Sequence, residues 1–206
     1  MKFRLAKKSD SKALALLHME CSQNQEGGFM HNLGFFFLVS YYKITTTNRY
    51  SLILVAEDDY GKILGFHSGT LRTEEHLSQL KKNKLILGLA IIPQFCLNPP
   101  IIFEVIKRYF SISKISSVND FGVKEGVRGE YWCWSTNNSD SVGAILLYEK
   151  WFNLVKELGE GNVFIEVDTV NKRVLTFHKS KGAEIIRQID LFDGRKRLIM
   201  MYKLKN

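Results

Sequence analysis

The chain has 206 residues, 45% apolar and 24% charged, enough apolar surface for a sizeable core and ordinary usage for a soluble protein. Its longest apolar run, residues 85–97, contains Pro93 and Gln94 and is too short to span a bilayer. The start has no secretory stretch, and Cys21, Cys96 and Cys133 form neither a CxxC pair nor a Cys/His cluster, so a cytoplasmic protein with reduced thiols and no metal site is expected. The formal net charge is +8, and residues 171–206 hold ten Lys/Arg against three carboxylates. A basic end suits nucleic acid, acidic lipid, a phosphate-bearing small molecule or simply a solvated face.

Residues 3–6 alternate like a first strand. Ser9 or Asp10 then caps a helix with Ala13, Leu14, Leu16 and Leu17 on its buried stripe. Residues 23–28 are polar and end in Gly27-Gly28, a loop, and a second, deeply packed helix follows with Phe35, Phe36, Leu38, Tyr41 and Tyr42. Residues 52–56 and 63–71 are strand-like around the turn Asp58-Asp59-Tyr60-Gly61. Helical character returns at 74–89 and, after Pro99-Pro100, at 100–110. Residues 111–129 read as a connector. Then come an aromatic strand (130–135), a helix (142–158), a strand (163–167), a short helix (172–181) and two strands (184–192 and 197–204) flanking Asp193-Gly194. A strand–helix–strand step within one sheet implies a crossover, with helices covering the sheet faces.

Between Trp134 and Ala144 a strand runs into a helix through Ser135, Thr136, Asn137, Asn138, Ser139, Asp140 and Ser141. Uncapped N–H groups at a helix start, together with the helix dipole, make an anion site, and small side chains let a diphosphate approach. Ser139, Asp140 or Ser141 can equally be an ordinary N-cap.

The order of elements, this turn and the later segment Asn171 to Ala183 together resemble the GNAT superfamily of acyl-CoA N-acyltransferases, over nearly the whole chain apart from about residues 75–129. The early Gly28-Phe29-Met30-His31-Asn32-Leu33-Gly34 is similar to the start of a bacterial subgroup of that family. The resemblance implies an α/β (α+β) fold in one domain, 1–206. Its mixed central sheet of about six to seven strands would have splayed parallel strands, helices on both faces and a helical insertion between strands 3 and 4, at about 75–129.

It further implies acetyl-CoA, or another short acyl-CoA, as co-substrate, with no metal. In the family's Gln/Arg-x-x-Gly-x-Gly/Ala loop, Asn138 stands at the Gln/Arg position, Ser141 at the first glycine and Gly143 at the last. The implied contacts are Trp134, Ser135, Thr136, Asn138, Ser139, Asp140, Ser141, Val142, Gly143 and Ala144, with Asn171 and Phe177 downstream. The Ser139 and Ser141 hydroxyls, or basic residues such as Lys172 and Arg173, would make up for the missing basic side chain. His178 takes the place of the family's tyrosine, which protonates the leaving thiolate, and an imidazolium can do so near neutral pH. Candidate bases for the amine are Glu130, Glu166 and Asp168, the last two on one strand face. Main-chain N–H groups near residues 134–136 would stabilise the oxyanion.

Phe29, His31 and His67 are the expected acceptor contacts, with the apolar residues 85–92 of the insertion serving as a lid or dimer face in preference to resting on a membrane surface. The expected activity is transfer of an acetyl or short acyl group to a primary amine of a small molecule, an amino sugar being one candidate, by direct attack in a ternary complex. The alternative is a catalytically inactive acyl-CoA-binding or scaffold domain. Expected partners are the small-molecule amine and a second copy in a homodimer, with no membrane span. Nucleic acid is disfavoured because the late Lys/Arg alternate with strand residues and make no helical stripe.

Overall fold

The computed structural model describes residues 1–22, 29–114, 126–191 and 194–204. The expected loop at 23–28, residues 115–125 of the expected connector and Asp193 of the last turn lie outside the described residues. Seven strands form one sheet: β1 (Lys2–Leu5), β2 (Ser51–Glu57), β3 (Ile63–Thr70), β4 (Val127–Trp134), β5 (Asn162–Asp168), β6 (Glu184–Asp190) and β7 (Lys196–Lys203). Their order is β1-β2-β3-β4-β5-β7-β6, with every neighbouring pair antiparallel except β4 and β5. Helices α1 (Ser11–Ser22), α2 (Phe29–Asn32) and α3 (Phe35–Thr45) precede β2, and α4 (Thr73–Lys82), α5 (Lys84–Leu97) and α6 (Ile101–Lys114) separate β3 from β4. Helix α7 (Ser141–Glu157) links the parallel pair and α8 (Lys172–Ser180) links β5 to β6. The mixed seven-stranded sheet and the insertion after its third strand agree with expectation.

β2 shows why the sheet is covered on both faces. Leu52 to Ala56 are all buried, the continuous apolar run of a strand sandwiched between layers. Leu52, Leu54 and Ala56 pack with Leu147, Trp151 and Val155 of α7, while Ile53 and Val55 join Leu14, Leu38 and Tyr42 of α1 and α3. The Trp151 indole N–H donates to the Leu52 carbonyl at 3.0 Å, so the largest core side chain leaves no polar atom unsatisfied.

Three local expectations are corrected. The single helix expected from Phe29 is two, broken at Gly34, whose φ of 85° interrupts the helix. The helix expected at 74–89 divides at Asn83, and α5 runs through Pro93 to Leu97 because Leu87 and Ile91 anchor it on the core. Residues 111–114 belong to α6, and β4 begins at Val127, ahead of the expected start.

Between β3 and β4 the register slips. Ser68 pairs with Tyr131 and Gly69 with Gly129, so Glu130 has no partner across the ladder and forms a β-bulge. Gly69 is needed there, since a Cβ on it would stand 2.5 Å from the Arg128 carbonyl oxygen and run into the Trp151 ring. Gly69→Ala is therefore expected to destabilise the fold by about 3 kcal/mol. Chemical denaturation checks this, and a loss below about 0.5 kcal/mol would show that the bulge has slack.

Candidate active site

β4 and β5 pair only at Val127↔Val163 and Arg128↔Phe164. Beyond that each strand follows its antiparallel partner, β5 pairing with β7 along its whole length and β4 with β3. The bulge at Glu130 adds twist where the pair separates. The parting leaves an opening of about 470 Å³ through the sheet. On one face it is lined by His18, Tyr41 and His76 of α1, α3 and α4, and on the other by Tyr148, Val174 and His178 of α7 and α8. Trp132 forms a wall, its ring 4.9 Å from that of Phe177 and 5.1 Å from that of Tyr148.

The parting also exposes a main-chain edge. Ser135 N–H donates to the Leu64 carbonyl at 2.8 Å and Tyr131 N–H to Ser68 Oγ at 3.2 Å, so these groups point to β3. Alternation along the strand then turns the N–H of Trp132 and Trp134 toward the side β5 has left. The Trp134 carbonyl on that edge accepts from Cys21 Sγ at 3.0 Å.

An ion ladder crosses the opening on one face. Arg128 donates to Glu130 at 2.6 Å and lies 3.8 Å from Glu166. Arg197 bonds Glu166 at 3.0 Å and Asp168 at 2.7 Å, and Arg195 bonds Asp168 at 2.8 Å. Glu130 also accepts from Tyr41 Oη at 3.1 Å. Burial pushes the Glu130 carboxyl up, but His76, Arg128 and Tyr41 outweigh it and hold the group below the usual carboxylate range. His76 Nε2, 3.5 Å from the Glu130 carboxylate, is buried without a hydrogen-bond partner, and burial lowers the pKa of that imidazole. Much of the basic end seen in the sequence is accordingly ion-paired, with Lys181 on Glu149 at 3.0 Å and Lys203 on Glu184 at 2.8 Å as further pairs.

On the opposite face, Tyr148 Oη donates to Tyr202 Oη at 2.7 Å, and Tyr202 Oη lies 2.8 Å from His178 Nδ1. Burial pushes the Tyr202 phenol up to about 12 and the His178 imidazole down to about 4. The expected imidazolium is thus corrected: His178 is neutral near pH 7 because burial penalises its charge. Tyr202 Oη also donates to the His178 carbonyl at 3.3 Å; when it donates to Nδ1 instead, the proton of His178 sits on Nε2.

No protein-family model matches the chain, and no curated protein is similar to it in sequence. Solved structures do match. A Desulfovibrio desulfuricans protein assigned to the GNAT family of acetyltransferases superposes with a TM-score of 0.60 at 10% identity, covering 98% of each chain. An N-acetyltransferase from Staphylococcus aureus Mu50 gives 0.59 at 13% identity, over 99% of this chain and 98% of that one. The protein yncA of Salmonella typhimurium, solved with its cofactor acetyl-CoA, gives 0.59 at 12% identity, over 100% and 95%. The chain has the GNAT fold.

The expected diphosphate contacts lie in the turn from β4 into α7, and most of the donors there are engaged within the chain. Asp140 is the N-cap of α7, accepting from Gly143 N–H at 2.8 Å. Thr136 N–H and Oγ1 and Ser135 Oγ donate to one carboxylate oxygen of Glu20, at 2.6, 2.8 and 2.9 Å. Asn138, Asp140 and Ser141 N–H donate to Ser135 O, Asn138 Oδ1 and Ser139 O. The expected uncapped helix start is therefore an ordinary cap. Gly143 has a packing reason of its own, since a Cβ there would lie 2.8 Å from the Trp134 ring. Val142 and Ala144 follow in the first turn, Val142 exposed and Ala144 buried.

The opening and the free main-chain edge at Trp132 and Trp134 leave room beside β4 for an extended arm of the kind acetyl-CoA carries. Lys172, Arg173, Thr176 and Phe177 line a separate shallow depression on α8.

The remaining expected site residues divide. Glu130, Glu166, Asp168, Asn171 and His178 all line the opening, and Asn171 caps α8 by accepting from Val174 N–H at 3.3 Å. Phe29 lines it too, whereas His31 lies in α2 with its Nδ1 buried and unpartnered. His67, expected at the acceptor, also lines the opening, stacked on Trp151 and Tyr148 at 4.3 and 5.4 Å on the α7 side. Of the expected oxyanion donors, Ser135 and Thr136 are already bonded and Trp134 faces the free edge. Sequence reasoning missed Tyr148, Arg128 and the Trp132 N–H, which only the fold brings to the opening, and Tyr202, which stands behind Tyr148 and His178.

Proposed function

We propose that the chain is an acyl-CoA-dependent N-acyltransferase acting on a primary amine of a small molecule, an amino sugar being one candidate. One observation carries this reading: the opening where β4 and β5 part has a carboxylate on one face and a phenol–imidazole chain on the other. Residues 1–206 act as one domain in this reading, because a single sheet runs through the described residues.

A bound acyl-CoA supplies the thioester carbon and a thiolate leaving group. Glu130 holds the acceptor ammonium by charge and takes its proton as attack proceeds. The Trp132 and Trp134 N–H groups donate to the oxygen that gains charge. His178, neutral, donates Nε2–H as a hydrogen bond to the departing sulfur, and Tyr148 and Tyr202 fix its tautomer. Glu166 and Asp168, each tied to arginine, shape the acceptor mouth.

Isothermal titration with acetyl-CoA, followed by thiol release across a panel of amines, tests the reading. Binding together with amine-dependent release is expected. His178→Phe should lower kcat about tenfold, the worth of one hydrogen bond, without moving the acceptor KM. A second reading, a catalytically inactive scaffold domain on this fold, is favoured by the Asp140 and Glu20 carboxylates, which occupy donors of the diphosphate turn and repel an anion. The absence of amine-dependent release over the whole panel would select it.

A further inference from the structure

The insertion between β3 and β4 presents an apolar surface that no element among the described residues covers. Helix α5 packs inward through Leu87 and Ile91. Its outward side has Leu85, Leu89 and Leu97 at 75%, 67% and 81% exposure, and α6 continues the surface with Phe103 at 77%. No charged side chain occurs between Leu85 and Leu97. Contiguous exposed aliphatic groups of this kind mark a surface with a partner.

Charge identifies the partner. Lys81, Lys82 and Lys84 are exposed where α4 hands over to α5. Lys84 stands in the first turn of α5, where the helix dipole disfavours a cation, so the helix's own stability does not explain it. A 14-residue helix is roughly 21 Å long, suited to lying in a lipid interface, and no helix among the described residues is long and apolar enough to cross a membrane. A second copy would bring the same lysines and the same +8 charge to the contact, whereas anionic headgroups neutralise them.

We propose that α5 and the start of α6 dock on an anionic lipid surface, with the leucines at the acyl boundary and the three lysines among the phosphates. Residues His76 and Leu80 of α4 line the opening, so docking brings the lipid surface beside the acceptor side of the sheet. The surface stands independently of the catalytic reading.

Vesicle flotation of the full chain tests it. The protein is expected to float with vesicles containing one-third phosphatidylglycerol and to stay in solution with phosphatidylcholine alone. Leu89→Asp, and separately Lys81→Gln with Lys82→Gln and Lys84→Gln, should each weaken flotation at least tenfold while the chain keeps a cooperative melt, because these side chains are exposed. Equal flotation with neutral vesicles, or none with either, overturns the proposal. So does a dimer in sedimentation equilibrium that Leu89→Asp dissociates, which would make a second copy the occupant.

Discussion

Glu130→Gln is expected to lower amine-dependent thiol release about a hundredfold while moving acetyl-CoA affinity by less than about twofold. The amide oxygen can keep the Arg128 bond, and the amide nitrogen in place of the second oxygen can donate to Tyr41 Oη, so the neighbours stay bonded although the second bond reverses. What disappears is the negative charge beside the opening, on the face lined by α3 and α4, away from the diphosphate turn. The fold survives because Arg128 retains Glu166. The charge matters because an incoming ammonium gives up its proton only to a group held ionised, and the arginine and imidazole neighbours keep Glu130 in that state. Steady-state kinetics alongside titration separate the two effects. Unchanged turnover in the variant would remove Glu130 from the chemistry.

Acid should unfold the protein early. Burial holds His18 at about 4, with His31 adding repulsion, and His67 at about 3, with His178 adding repulsion, against an ordinary 6.5. Between pH 6.5 and those values the unfolded chain binds protons that the folded chain refuses, so the free energy of unfolding falls as pH falls. Each group contributes about 1.4 kcal/mol per pH unit, so these two alone remove on the order of 5 kcal/mol by pH 4.5, comparable with a whole domain's stability. Glu130, held low by its neighbours, acts in the same direction at lower pH. Thermal melts across pH 7.5 to 4.5 should show a steep fall beginning near 6.5. His67→Phe keeps the stacking on Trp151 and removes an unpartnered Nδ1, so the acid arm should become shallower with no loss at pH 7. A flat profile from pH 7 to 5 would refute the buried-imidazole account.

Legibility follows distance along the chain. The apolar run of β2, the α7 stripe through Leu147, Trp151 and Val155, and the Asp58 turn are local patterns, and the structure keeps all three. In that turn the Asp58 side chain accepts from Tyr60 and Lys62 N–H at 2.9 Å each. The break between α4 and α5 was hidden because Asn83 carries no strong stop signal, and the run through Pro93 because packing outweighed a local rule. The parting of β4 from β5 was foreseen only through resemblance. It depends on a one-residue mismatch between β3 and β4, which no periodicity displays. Whether the start of α7 is a cap or an anion site was ambiguous by nature, since both use the same small polar residues. The state of His178 rests on α7 and β7, far away in sequence. Arg195 and Arg197 looked like surface charge until β5 was placed beside β7, bringing Asp168 opposite Arg197.

The ladder through Arg128 has a geometric consequence. Where main-chain bonds between the parallel strands stop, a guanidinium reaching carboxylates on both strands takes over as the spacer. The width of the aperture is thereby a property of side-chain reach, so exchanging one arginine or carboxylate can resize the gate without redrawing the sheet around it.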